Sequence, residues 1–169
     1  AQLQDAMVDC HFMLGFARVA LAADPDLLGM QATFLTGMGA EIVAAVSPAK
    51  HESLALLPVP KIVIGDLEDL EKDARAGGAQ VIVANSHAAG TAERLGLPLM
   101  RAGFPQYDQV GGYARTWVGY RGTRQALFDF ANLMLRQHHE LEPYQSIYRA
   151  EPRLGDNHGS PSSAAGLVH

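Results

Sequence analysis

The sequence predicts an α/β fold, a doubly wound and mainly parallel sheet of four to five strands with flanking helices. Three observations predict it. Five short runs rich in Val, Ile, Leu and Ala, at 18–23, 41–46, 61–64, 80–84 and 99–102, lack the in/out alternation of a half-exposed strand, as a sheet covered on both faces requires. Helical patterns separate most of these runs, and a β-α-β-α-β alternation needs right-handed crossovers. The chain has 169 residues, 48% of them hydrophobic and 18% charged, enough for one domain with a real core and too few for two.

The elements follow in order. Residues 2–14 place Leu3, Ala6, Met7, Cys10 and Met13 on one helical stripe. After the first strand, 25–38 opens on Pro25 and stops at Gly39, the usual helix start and stop signals. The connection 47–60 carries three prolines and a short helical stretch at 51–57. Beyond the third strand, 67–76 sets Leu67 and Leu70 three apart and ends at Gly77-Gly78. The helix 87–95 follows Ser86, a residue type suited to cap it, and ends at Gly96. After the fifth strand, 101–123 is rich in Gly and aromatic residues and holds the single Trp, Trp117. Long connections of this kind are usually functional or lie against a partner. A last helix at 123–141 aligns Leu127, Phe130, Leu133 and Met134. The domain is expected to span 1–148, with 149–169 a flexible tail of Pro, Gly, Ser, Asn and Asp.

Charge and composition exclude some functions. Thirteen Lys and Arg against eighteen Asp and Glu give a net charge of −5, with no basic stripe to neutralise phosphates, so nucleic acid is not an expected partner. A single cysteine, Cys10, makes no intrachain disulfide and no cluster-binding motif. No apolar run approaches the roughly 18 residues of a membrane span. The opening Ala1-Gln2-Leu3-Gln4-Asp5 has neither an initiator Met nor the pattern of a secretion signal and reads as a cut within a longer protein.

In open α/β sheets ligands bind at the carboxyl ends of the strands. There the chain offers Asp24-Pro25-Asp26, Gly65-Asp66, Asn85-Ser86-His87 and Gly103-Phe104-Pro105-Gln106-Tyr107-Asp108, with no GxGxxG and no P-loop. Acidic strand ends repel phosphate where a helix N-terminus would otherwise attract it. Asp24, Asp26 and Asp66 are read as first-turn helix acids, Ser86 as an N-cap, and no G-x-S-x-G elbow supports a Ser86/His87 hydrolase. Asn85, Ser86, His87, Phe104 and Tyr107 are the candidate lining of the crevice. Adjacent imidazoles in His138-His139-Glu140 point about 100° apart on a helix and make a poor metal site. Asp5 and Asp9, spaced i,i+4, share a helix face and repel unless a cation or Arg lies between them. A hard cation needs six to eight ligands, so others would come from elsewhere; a solvated acidic face is the plain alternative.

Residues 3–11, 22–26, 84–87, 101–105 with Asp108, and 119–122 together resemble the C-terminal domain of the nitrogenase component 1 superfamily, β-type branch. Within it, residues 64–71 and the short connection after the second strand are similar to the NifN family of cofactor-assembly scaffold subunits. The resemblance implies a complex with a NifE-type α subunit, paired with a second αβ half in a heterotetramer. That complex would hold an iron–sulfur cluster and an iron–molybdenum cofactor precursor, dock the nitrogenase iron protein and reside in the cytoplasm. It implies no catalytic residue and no cofactor ligand in this chain, because Gly103-Phe104-Pro105 stands where the α-type subunit presents a ligating His. The positions of Asp5 and Asp9 match two carboxylates that, in the catalytic β subunit, help bind a divalent cation between the halves. Two alternatives stay open, a catalytic nitrogenase-type β subunit and a stand-alone flavodoxin-like module binding a small ligand.

Overall fold

The computed structural model describes residues 1–137. The expected domain limit at 148, the tail 149–169, the end of the last helix and the His138-His139-Glu140 cluster lie outside the described residues. Ten main elements follow one another: α1 Gln2–Leu14, β1 Arg18–Ala22, α2 Pro25–Gly37, β2 Glu41–Ser47, β3 Val63–Ile64, α3 Leu67–Gly77, β4 Val81–Ala84, α4 Ala89–Leu95, β5 Leu99–Arg101 and α5 Gly119–Gln137. Short 3₁₀ turns occupy Glu52–Leu56, Ser86–Ala88 and Gly112–Ala114. The five strands form one sheet in the order β3-β2-β1-β4-β5, and every neighbouring pair is parallel. The chain builds outward from β1 to β3, then returns to the other side of β1 with β4. This is the doubly wound arrangement expected from the unalternated apolar runs.

Alternate residues of the central strands divide between two cores. Val19 and Leu21 of β1 and Val81 and Val83 of β4 join α1, α2 and α5 through Leu14, Leu28, Leu35, Leu127 and Phe130. Ala20, Ile82 and Ala84 turn to the other face and meet Leu70 and Ala74 of α3 with Ala88 and Ala92 near α4. On β2 the register steps, so that Val19 pairs with Ile42 and Ala20 with Ala44. The skipped Val43 is a bulge, and it sets Ala44 and Val46 on the α3/α4 face. The C-terminal end of α3 closes over that bulge: a Cβ on Gly77 would lie 2.8 Å from the Val43 Cβ.

Local chemistry sets the helix ends. Asp66 accepts from the Glu68 and Asp69 N–H groups at 2.8 and 3.2 Å, and Asp69 accepts in return from the Asp66 N–H at 3.3 Å. This capping box satisfies donors that the first turn leaves free. Gly78 and Gly96, at φ 61° and 66°, end α3 and α4 in the left-handed conformation that favours glycine.

Three details differ from the sequence expectations. Met7 is 38% exposed, and Leu14, fully buried, takes its place in the stripe of α1. β3 shrinks to two residues at the sheet edge. α5 begins at Gly119 rather than at residue 123, and a glycine is needed within its first turn because a Cβ on Gly122 would lie 2.8 Å from the Thr116 carbonyl oxygen.

Among the described residues, Phe130 is the largest side chain with no exposure at all. Phe130→Ala is expected to lower stability by about 3–5 kcal/mol, measured by urea unfolding. The same change at Phe128, 37% exposed on the same helix, should cost clearly less.

Candidate functional site

A crevice of about 300 Å³ opens above the carboxyl ends of the strands, at the point where the order turns back from β1 to β4. This is where a doubly wound sheet leaves a gap, because the connections on either side of the switch run to opposite faces. Asp24 and Asp66 stand at its mouth, with Gly65 and Gly103 forming backbone walls. Asp66 is committed to capping α3, whereas Asp24 occupies the N-cap position of α2 without a side-chain cap bond. Both carboxylates thus face the positive ends of helices, where a bound phosphate would otherwise be stabilised.

The opposite wall comes from the end of β4 and the segment after β5. The Asn85 side chain caps the turn after β4 by accepting from the His87 N–H at 3.1 Å, and its amide donates to the Phe104 carbonyl at 3.0 Å. Ser86 does not serve as the cap that its position suggested; Asn85, one residue earlier, fills that role. The Ser86 hydroxyl is buried and donates to Asp108, while accepting from the Tyr107 N–H at 3.2 Å. The Ser86 N–H donates to the Pro105 carbonyl at 3.0 Å. Asp108 also receives both arms of the Arg101 guanidinium, Nε at 2.8 Å and Nη2 at 2.6 Å. Arg101 chiefly, and Ser86 next, hold the Asp108 carboxyl well below the usual carboxylate range, and Asp108 in turn raises the Arg101 pKa. The result is a strap, 104–108, tied at several points to the end of β4.

The structure brings Asn85, His87 and Phe104 together in the crevice. Ser86 and Tyr107 are not in its lining. The Ser86 hydroxyl is spent on Asp108, and Tyr107 packs edge-on against His87 with ring centroids 5.8 Å apart. A nucleophile-and-base pairing of Ser86 with His87 therefore has no geometric basis. Sequence reasoning placed Arg101 and Asp108 in one of the matching stretches but did not pair them, because a contact across an irregular loop has no periodic signature.

Asp5 and Asp9 lie on the exposed face of α1. Neither carboxylate makes an ion pair or hydrogen bond among the described residues, and no group of three or more possible metal-binding His, Cys, Asp or Glu side chains forms there. Cys10 turns inward beneath them, and burial chiefly, with the Asp9 charge, pushes its thiol pKa up, the opposite of a poised thiolate.

Comparison with known proteins places these features in context. Residues 1–135 match the family model described as nitrogenase component 1 type oxidoreductase. The chain is 45% identical over 163 residues to the nitrogenase iron-molybdenum cofactor biosynthesis protein NifN of Klebsiella pneumoniae, covering 96% of this chain and 35% of that protein. It is 51% identical over 136 residues to NifN of Rippkaea orientalis, covering 80% of this chain and 29% of the relative. NifN of Rhodobacter capsulatus is 43% identical over 144 residues, with coverage of 85% and 31%. The chain thus spans about a third of the length of the curated relatives it matches. A solved structure of nitrogenase Cp1 at pH 6.5 superposes with a TM-score of 0.74 at 25% identity, over 88% of this chain and 35% of that one.

The strap has a pH signature. A carboxyl whose folded pKa is depressed contributes its full stabilisation above its unfolded pKa, about 3.9 for Asp, and loses it as the pH falls toward the folded value. Asp108→Asn should therefore lower the urea midpoint at pH 7, and the gap from the unsubstituted chain should narrow steadily below about pH 4. A gap that stays constant down to pH 2 would show that the Arg101–Asp108 charge pair does not contribute.

Proposed function

The chain belongs to the nitrogenase component 1 type oxidoreductase family, and from that premise we propose that it is one domain of a scaffold subunit for iron–molybdenum cofactor biosynthesis, acting as part of the wall of a cluster-holding complex rather than as the ligand set. The observation that carries the reading is the end of β5. In the position the resemblance assigns to a ligating imidazole, the chain has Gly103-Phe104-Pro105, with no side chain able to bond iron. The similarity to NifN proteins over most of the chain supports the choice of scaffold over catalytic subunit.

The same reading assigns partners. Phe104, Tyr107, Val110, Tyr113, Val118 and Tyr120 are all exposed along the segment from β5 to α5. A concentration of aromatic side chains, interspersed with Arg, is the composition of an interface core, and a NifE-type α subunit is the proposed occupant. The exposed face of α1 carries Val8 and Phe12 beside Asp5 and Asp9, and Phe16 is exposed just beyond its end. Two carboxylates supply at most a part of a hard cation's shell. A divalent cation held there would be shared with the second αβ half, whose oxygens complete the coordination. The nitrogenase iron protein would dock on the assembled complex. No helix among the described residues is long and apolar enough to cross a membrane, and the complex is proposed to work in the cytoplasm.

The chain purified alone should retain no stoichiometric iron after chelator washing, whereas the complex of the whole subunit with its α partner should carry an iron–sulfur precursor. Iron that stays on the isolated chain overturns the reading. Asp5→Asn with Asp9→Asn should change the chain's urea stability by no more than about 0.5 kcal/mol, yet weaken association of the two αβ halves on gel filtration. An unchanged association constant would remove the shared cation.

A further inference from the structure

From Gln109 to Phe128 the chain has three arginines, Arg115, Arg121 and Arg124, and no Asp or Glu, although the protein as a whole carries a net charge of −5. The same stretch exposes Val110, Tyr113, Val118 and Tyr120, with Tyr113 at 79% and Tyr120 at 82%. It is fastened from beneath. Trp117 packs on the core, Gly112 is buried, and Arg115 pairs with Asp129 of α5. Aromatic side chains on a fastened backbone lose little freedom when a partner covers them. The three arginines are not equivalent. Arg115 is committed to Asp129, and Arg124 donates to the Gln2 Oε1 at 2.6 Å. Arg121 is exposed and makes no ion pair or hydrogen bond among the described residues.

Arg121 stands in the first turn of α5, where the helix presents its positive end and a cation is disfavoured. The first turns of α1, α2 and α3 hold Asp5, Asp26, and Glu68 with Asp69, whereas that of α5 holds no acid. Nothing among the described residues offsets the placement of Arg121, so the side chain suits an anion supplied from outside. We infer that the α subunit, whose seat on this segment rests on the reading given above, meets it with an acidic segment: an Asp or Glu carboxylate on Arg121, with apolar side chains against Tyr113, Val118 and Tyr120. A guanidinium binds a carboxylate through two parallel N–H groups, and the pair strengthens as surrounding aromatic groups exclude water. The start of α5 adds to the attraction, since it favours negative charge at the same spot. The face of α1 that carries Asp5 and Asp9 beside Val8 and Phe12 offers similar chemistry on a second copy of this chain, so self-association is the competing outcome.

The test uses the complex of the whole subunit with its α partner. Arg121→Glu should raise the dissociation constant roughly tenfold or more and remove much of its salt dependence. Arg121→Lys, which keeps the charge but not the planar fork, should weaken the complex less than Arg121→Glu does. Tyr120→Ala should weaken it without changing its response to salt. The 169-residue chain supplies the folding control. Arg121→Glu places an acid at a helix N-terminus and should leave the urea midpoint unchanged or higher, so weaker assembly would not reflect misfolding. Weakening by Tyr120→Ala but not by Arg121→Glu overturns the acidic partner while keeping the α subunit on the segment. No effect of either substitution overturns both. Self-association of the chain that Arg121→Glu abolishes, with the α complex unaffected, assigns the surface to a second copy and overturns the inference as well.

Discussion

Every level of this molecule depends on β1 and β4 being buried on both faces. Residues such as Val19, Ala20, Leu21, Val81, Ile82 and Val83 have no exposed side. Their backbone groups can be satisfied only by neighbouring strands, and their side chains only by helices above and below. Parallel pairing with crossover helices meets both demands at once. It also leaves a gap where the crossovers part company, and the crevice between the ends of β1 and β4 is that gap. The site is thus a by-product of how the core is closed, before any residue in it has been chosen for chemistry.

What fills the rim of the gap then narrows its use. Carboxylates at the starts of α2 and α3 occupy the electrostatic niche that other proteins of this architecture give to phosphate. On the far side, Arg101, Ser86 and Asp108 tie the segment after β5 to the end of β4, so Phe104 and Asn85 are held against each other rather than left on a free loop. The wall is thus fixed at several points, and the imidazole on it, His87, is packed edge-on against Tyr107. A fixed wall suits the role proposed above, part of the enclosure of a cluster bonded by another subunit.

The sheet was legible in the sequence because its physical cause is local. Within the run 80–84, residues 81–84 carry no polar residue on either alternate set, and only double-sided burial explains that. Helix ends marked by Pro25, Gly78 and Gly96 were equally readable. The strap was not, since Ser86 and Asp108 are 22 residues apart and nothing periodic joins them. Two adjacent cap-forming residues, Asn85 and Ser86, also cannot be ranked by propensity. Their roles were decided by Asp108 and Phe104 arriving from β5. The start of α5 was hidden for a related reason, since Gly119 and Gly122 read as loop residues, and only the Thr116 carbonyl, brought close to Gly122, shows why a glycine stands inside the helix there.

The two cores on either side of the sheet are built from different stock. One is filled by Leu, Met and Phe reaching down from α1, α2 and α5, the other largely by alanines that let α3 and α4 lie close to the strands. Long flexible side chains can exchange volume with one another, so the first layer tolerates compensated substitutions. An alanine layer has nothing to trim when a neighbour grows. Laboratory diversification of this domain should accordingly vary the first layer and leave the second untouched, which makes the α1/α2/α5 side the natural place to engineer a new contact without losing the fold.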